Sequence, residues 1–226
     1  MTQLATTLGL SPALQFHDIY SLDDPDGLAH IPRPALALLA IIPLTPAWDR
    51  ARQAEDAGKL EPYVGSSSDD PVIWFKQTIG NACGSIGLLH CAINGPAAEL
   101  ITPGSDLDVL CSKAMPLDMN SRADMLYNST AFERAHKAVE SKGDSDVELR
   151  GLRDGGHFVA FVKSGGKLWE LEGSRRGALE RGVLADDEDV LSPRALEMGI
   201  KRIIGLNKVG GEENLLFSCI ALARKT

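Results

Sequence analysis

The stretch His157-Phe158-Val159-Ala160-Phe161-Val162-Lys163, then Ser164-Gly165-Gly166, then Lys167-Leu168-Trp169-Glu170-Leu171-Glu172-Gly173 decides the fold. Two runs rich in aliphatic and aromatic residues flank a cluster of turn residues, which is the signature of a β-hairpin. A hairpin makes this part of the sheet antiparallel. On its C-terminal side, Ser192-Pro193 opens a helix with proline in the first turn, running to about Gly205, and Leu215 to Ala223 forms a last apolar strand. On its N-terminal side, Glu140 to Gly156 is polar and punctuated by glycine, the mark of a long exposed loop. Asn120 to Val139 before it is a helix rich in Ala, Glu, Arg and Lys.

Further upstream, Cys83 to Asn94 carries apolar residues at helical spacing and closes on Asn-Gly-Pro. Val72 to Phe75 and Ala35 to Pro43 are unbroken apolar runs of strand length, expected to be buried strands, with a polar loop at Gly65 to Asp70. Leu14 to Tyr20 alternates as a half-buried strand and ends in the turn Asp23 to Gly27. Strands and helices mix without regular βαβ alternation. The expected class is therefore α/β in the α+β sense, with a central, mostly antiparallel sheet flanked by helices.

The chain has 226 residues, 44% hydrophobic and 24% charged, enough for a sizeable core and far from disordered, collagenous or disulfide-dense composition. One domain over 1–226 is expected. A net charge of −8 disfavours a nucleic-acid partner and suits a basic one. The most apolar run, Pro34 to Leu44, is far short of the roughly 20 residues of a membrane helix. Met1 to Leu10 lacks the basic start and apolar segment of a signal peptide. With no CxxC pair, Cys83, Cys91, Cys111 and Cys219 read as cytosolic thiols. A cytoplasmic location is expected, with the nucleus open as a second, and a monomer as the oligomeric state.

The most unusual stretch is Gln77-Thr78-Ile79-Gly80-Asn81-Ala82-Cys83-Gly84-Ser85-Ile86-Gly87-Leu88-Leu89-His90. It places Cys83 at or near the first turn of a helix, where unpaired N–H groups and the helix dipole favour the thiolate. The Cys83 N–H and the Gln77 side chain are candidate donors to an oxyanion. A thiolate needs a base, and among the histidines only His157 opens a strand directly after a long loop. The hairpin sets His157 opposite residues 172 to 174, and cross-strand neighbours come within about 4.5–5.5 Å between β-carbons. Glu172 is therefore within reach of the imidazole. Taken alone, Cys83 suits a small core residue, His157 a surface histidine and Glu172 a solvated acid. His90, about 10 Å along the helix from Cys83, reads as packing. Cys91, Cys111 and Cys219 read as inert, and His17, His30 and His136 have no partner legible in the sequence.

The signature from Gln77 to His90 resembles that of the ubiquitin C-terminal hydrolases, a family of papain-like thiol proteases. The resemblance extends to Phe16-His17-Asp18-Ile19-Tyr20, to the run from Pro32, to Gly156 to Phe161, to Leu168 to Gly173 and to Phe217 to Leu222. It implies a papain-like fold with helices on both faces of the sheet, with Cys83 as nucleophile, His157 as base and Gln77 in the oxyanion hole. The third member in the family is an aspartate, fifteen residues after the histidine; here that position is Glu172, one methylene longer. The family also carries about ten residues before its first helix that this chain's start does not match. The loop from 140 to 156 resembles a crossover loop that restricts leaving groups to small or unfolded adducts.

The expected activity is hydrolysis of ester, thioester, amide or isopeptide bonds at the C-terminal glycine of ubiquitin, with no metal or organic cofactor. The same chemistry on a ubiquitin-like modifier, and a ubiquitin-binding protein with little turnover, are the alternatives.

Overall fold

A computed structural model of the chain describes residues 1–58, 63–65, 70–140, 156–209 and 217–226. Within these, strands β1 (Leu14–Ile19), β2 (Ala37–Pro43), β3 (Gly156–Ser164), β4 (Lys167–Leu171), β5 (Leu179–Val183) and β6 (Ser218–Arg224) build one sheet. Its order is β1-β6-β2-β3-β4-β5, and every pairing is antiparallel. The hairpin of the sequence is β3–β4, with Ser164 paired to Lys167 across a two-residue turn. Gly165 and Gly166 take φ of 58° and 71° there, the left-handed pair that a type I′ turn demands.

The sheet is covered on both faces, which explains why β2 reads as a continuous aliphatic run. Ala37 and Leu39 of β2, Ala160 and Val162 of β3 and Leu222 of β6 enter one buried cluster. Leu38, Ala40, Ile42, Val159, Phe161 and Ala221 enter the other. The first face is covered by α1 (Thr2–Leu8), α3 (Cys83–Ile93), α4 (Asp106–Ala114), α5 (Met119–Tyr127) and α6 (Thr130–Glu140). The second is covered by α2 (Pro46–Ala57), α7 (Pro193–Met198) and α8 (Ile200–Val209). Fully burying one such aliphatic side chain is worth about 1.5–3 kcal/mol, so the two filled faces put β2 and β3 at the buried centre of the sheet.

Four sequence expectations change. Val72 to Phe75 is buried but is not a strand: its backbone bonds side chains of α3 and the residue that ends it instead of a neighbouring strand. The helix expected over 120–139 breaks into α5 and α6 at Asn128-Ser129, where the Ser129 hydroxyl accepts the Phe132 N–H and restarts the turn. The helix begun at Pro193 breaks at Gly199. The last strand, β6, covers Ser218–Arg224, one residue past its expected end, while residues 215 and 216 of the expected strand lie outside the described residues.

The structure also adds α2, which hydrophobic periodicity misses because its inward face is Trp48, Arg52, Glu55 and Asp56. Its start carries a readable signal: the Thr45 hydroxyl accepts the Trp48 N–H, with Pro46 in the first turn. The expected loop from Glu140 to Gly156 lies, apart from those two residues, outside the described residues. So do residues 66–69 of the polar loop ahead of Val72.

Candidate active site

Cys83 is the first residue of α3. The approach to it turns on Asn81, the one described non-glycine residue with positive φ, at 58°. The helix then lies close against the sheet: a β-carbon on Gly87 would stand 2.8 Å from Leu39 Cδ1, and one on Gly84 3.1 Å from the Phe158 ring. Glycine at 84 and 87 therefore lets the start of α3 meet the start of β3, where His157 stands.

Three predicted residues come together there. Glu172 bonds His157 Nε2 through Oε1, which leaves Nδ1 for the Cys83 thiol. His157 is 8% exposed and Glu172 not at all. Burial opposes every charge in this group, yet the contacts outweigh it. The hydrogen bond and charge of His157, with N–H groups of Phe158 and Gly84, hold the Cys83 thiol below its ordinary range. Cys83 and Glu172 raise His157 to about 9. His157 and the N–H and hydroxyl of Ser174 hold Glu172 down. The site thus favours a thiolate facing an imidazolium. The contrast with the other cysteines is sharp: burial pushes Cys111 and Cys219 up to about 12 and Cys91 higher still.

Gln77 is tied to the same place by its backbone, whose N–H donates to Gly173 O at 2.8 Å, next to Glu172. A β-carbon on Gly173 would stand 2.9 Å from Gln77 Cβ, so glycine there permits the approach. Among the described residues the Gln77 side chain makes one long bond, Nε2 to Ile79 O at 3.4 Å, and its Oε1 is buried with no partner there. A donor held that weakly is free to turn to a better acceptor. His90 is a packing residue, as expected: its Nε2 accepts the Phe75 N–H at 2.9 Å, and burial lowers its pKa to about 4. His17 and His30 bond the carbonyls of Arg224 and Asp18, and His136 meets the Ser85 hydroxyl.

A family model, described as ubiquitin carboxyl-terminal hydrolase, family 1, matches residues 1–205. The chain belongs to this family. It is 32% identical over 227 residues to ubiquitin carboxyl-terminal hydrolase 3 of Arabidopsis thaliana, covering 100% of this chain and 91% of that one. It is 30% identical over 187 residues to ubiquitin carboxyl-terminal hydrolase isozyme L1 of Sus scrofa, covering 83% and 80%. Its fold matches the Trichinella spiralis UCH37 catalytic domain, solved bound to ubiquitin vinyl methyl ester, with a TM-score of 0.73 at 22% identity over 100% and 91% of the two chains.

In this hydrolase α2 supplies neighbours of the site that the sequence reading missed. The Trp48 ring lies 5.9 Å from the His157 ring, and the Arg52 guanidinium lies 5.4 Å from the centre of Trp48. Arg52 Nη1 also donates to Ser174 O and Oγ at 3.2 and 3.3 Å. The lower end of α2 enters a largely buried ionic cluster. Arg175 bonds Glu55 and Asp56 at 2.8 and 3.2 Å, Arg181 bonds Glu55 and Glu170 at 2.8 Å each, and Arg202 bonds the same two at 3.2 and 3.1 Å. Burial works against the Glu55 charge, but Arg181, Arg202 and Arg175 bring it to about 2. The cluster pins α2 to β4, β5 and α8, and so fixes Trp48 over the histidine. A Trp-x3-Arg-x2-Glu-Asp spacing on one helix face was the available signal, once Thr45-Pro46 had marked the helix start.

Proposed function

We propose that the chain cleaves ester, thioester, amide or isopeptide bonds at the C-terminal glycine of ubiquitin, with Cys83 as nucleophile. The Cys83 thiolate attacks the glycine carbonyl, forming the carbon–sulfur bond as the carbonyl oxygen takes the negative charge. The Cys83 N–H, in the first turn of the helix, and Gln77 Nε2 donate to that oxyanion. As the intermediate collapses, His157 gives its Nδ1 proton to the departing amine or alcohol. Water then attacks the thioester while Nδ1 takes its proton, and the acid leaves with the thiolate restored. Glu172 keeps the Nε2 proton in place throughout and orients the ring. No step calls on a metal or organic cofactor.

The observation that carries this reading is the Cys83–His157–Glu172 chain at a helix start, in a protein of this family. The net charge of −8 suits ubiquitin's basic tail. A monomer with a preference for small or unfolded leaving groups, and a cytoplasmic setting that keeps the four thiols reduced, complete the proposal. Ubiquitin carrying a C-terminal electrophile is the test: a covalent adduct at Cys83, located by mass spectrometry, together with steady turnover of a fluorogenic ubiquitin amide, is expected. Tight ubiquitin binding with neither adduct nor turnover would replace the enzyme with a binding protein.

A further inference from the structure

The Glu172 carboxylate is completely buried, and a glutamate has one more freely rotating bond than an aspartate, so something besides the imidazole must fix its plane. Ser174, two residues on, does this from both sides. Its N–H donates to Oε1 at 2.6 Å and its hydroxyl donates to Oε2 at 2.9 Å. With His157 on Oε1, both carboxylate oxygens are engaged and the plane is set. Ser174 is in turn held by Arg52, which donates to its carbonyl and to its hydroxyl oxygen, so the serine proton is left pointing at Glu172.

The ring of contacts then closes: Arg52 lies over Trp48, and Trp48 packs against His157. The charge of Arg52 does not compete with the imidazolium for Glu172, because Asp49 neutralises it through bonds of 2.6 and 3.2 Å from Nη2 and Nε. A neutral hydroxyl relays position without diverting charge.

We propose that Ser174, backed by Arg52, is a positioning residue that fixes the Glu172 carboxylate and, through it, holds the His157 ring against Cys83. This rests on the roles given to Cys83 and His157 above. Ser174 is exposed at the rim of the site, so removing its hydroxyl spares the core.

Two measurements on Ser174→Ala and Ser174→Thr test it. With a fluorogenic ubiquitin amide, Ser174→Ala is expected to lower kcat about tenfold with KM within about twofold, the scale of one hydrogen bond to a charged group. Ser174→Thr, which keeps the hydroxyl, is expected to recover most of the rate. In parallel, alkylation of Cys83 by iodoacetamide against pH reports the thiolate without ubiquitin. Its low-pH limb is expected to move up toward the ordinary thiol value in Ser174→Ala and to stay in place in Ser174→Thr.

Unchanged kcat and an unchanged alkylation profile in Ser174→Ala overturn the proposal, as does a loss that the well-folded threonine variant fails to repair. Should the parent protein show no turnover on ubiquitin while its alkylation profile still depends on Ser174, the positioning role stands and the proposed substrate fails. Turnover in the parent with an indifferent Ser174 keeps the substrate and removes the positioning role.

Discussion

The β3–β4 hairpin and the segment from Val72 to Gln77 both end at the active site, and both contain apolar runs of strand length. Only the hairpin is a pair of strands. Its partners lie across a two-residue turn, so the register that faces His157 toward Glu172 is set locally. The other segment finds its partners 15 and 21 residues away, on α3 and at its end. His90 Nε2 takes the Phe75 N–H, and Asn94 bonds both the N–H and the carbonyl of Ile73. It then clasps the hairpin's end, Trp74 Nε1 donating to Glu172 O at 3.1 Å and Gln77 N–H to Gly173 O. An extended backbone satisfied by side chains looks, in sequence, like a strand. The lesson is that apolar content reports burial, whereas pairing requires a partner that must be identified separately.

The two regions contribute different chemistry, and the largest expected effect tests the α3 side. Cys83→Ser is expected to lower ubiquitin-amide hydrolysis by about 10⁴-fold or more with an unchanged melting temperature, since a hydroxyl cannot be ionised here as a thiol can. Cys91→Ser, deep in the same helix, should leave kcat within a few fold. Equal losses in the two variants would move the nucleophile away from Cys83. On the hairpin side, Glu172→Gln keeps the shape but removes the charge, and kcat is expected to fall about 100-fold, within the range that general acid–base catalysis supplies. The upper limb of the pH–rate profile, set by His157 near 9, should also move down, because a neutral amide no longer holds the imidazolium proton. An upper limb unmoved by Glu172→Gln would mean that another group supports the histidine.

A smaller effect, on stability, distinguishes side-chain satisfaction from strand pairing. His90→Leu strips the Phe75 N–H of its acceptor and is expected to cost about 1–3 kcal/mol by urea denaturation. His90 also makes stability depend on acidity. Burial holds its folded pKa near 4 against the ordinary 6.5, so the unfolded chain binds the proton more tightly. This contribution is full above about 6.5 and drains away as pH falls from there toward 4. His90→Gln, able to accept the same bond, should flatten that slope; a slope identical to the parent's would assign the acid sensitivity elsewhere, with Glu55 acting only lower, between about 4.5 and 2.

The same contrast explains what was legible. Cys83, His157 and Glu172 could be found because a helix start and one short turn fix each within a few residues of its own signal. The burial of β2 was legible in its unbroken apolar run, while helices on both faces of the sheet were implied by the family resemblance. Arg52 and Trp48 were not, since their helix faces inward with charge, and a hydrophobic count treats charge as surface. Ser174 escaped with them, because its partner Arg52 lies 122 residues away. The break at Asn128-Ser129 escaped for a related reason: helix-forming residues continue on both sides, and only the Ser129 hydroxyl marks the restart. Gln77 was located by its place before the cysteine, but its tie to Gly173 depends on the long-range clasp.

The smallest prediction concerns the turn that makes the hairpin local. Gly165 and Gly166 both sit at positive φ, and glycine there loses more chain freedom on folding than any other residue. Gly165→Asn would install the Asn-Gly pair that type I′ turns favour, and asparagine tolerates the left-handed conformation. There is room, since a β-carbon at Gly165 meets nothing nearer than Pro71 Cβ at 4.0 Å. The gain comes from restricting the unfolded chain and should be about 0.5 kcal/mol, a rise of about 1–2 °C in melting temperature. Activity should not change, because the turn lies at the far end of β3 from His157. If register is set by the turn, stiffening it stabilises the pair without moving the site. A lower melting temperature, or a shifted pH–rate profile, would show that the hairpin takes its register from the packed faces of β3 and β4, and that it depends on distant contacts as Val72 to Gln77 does.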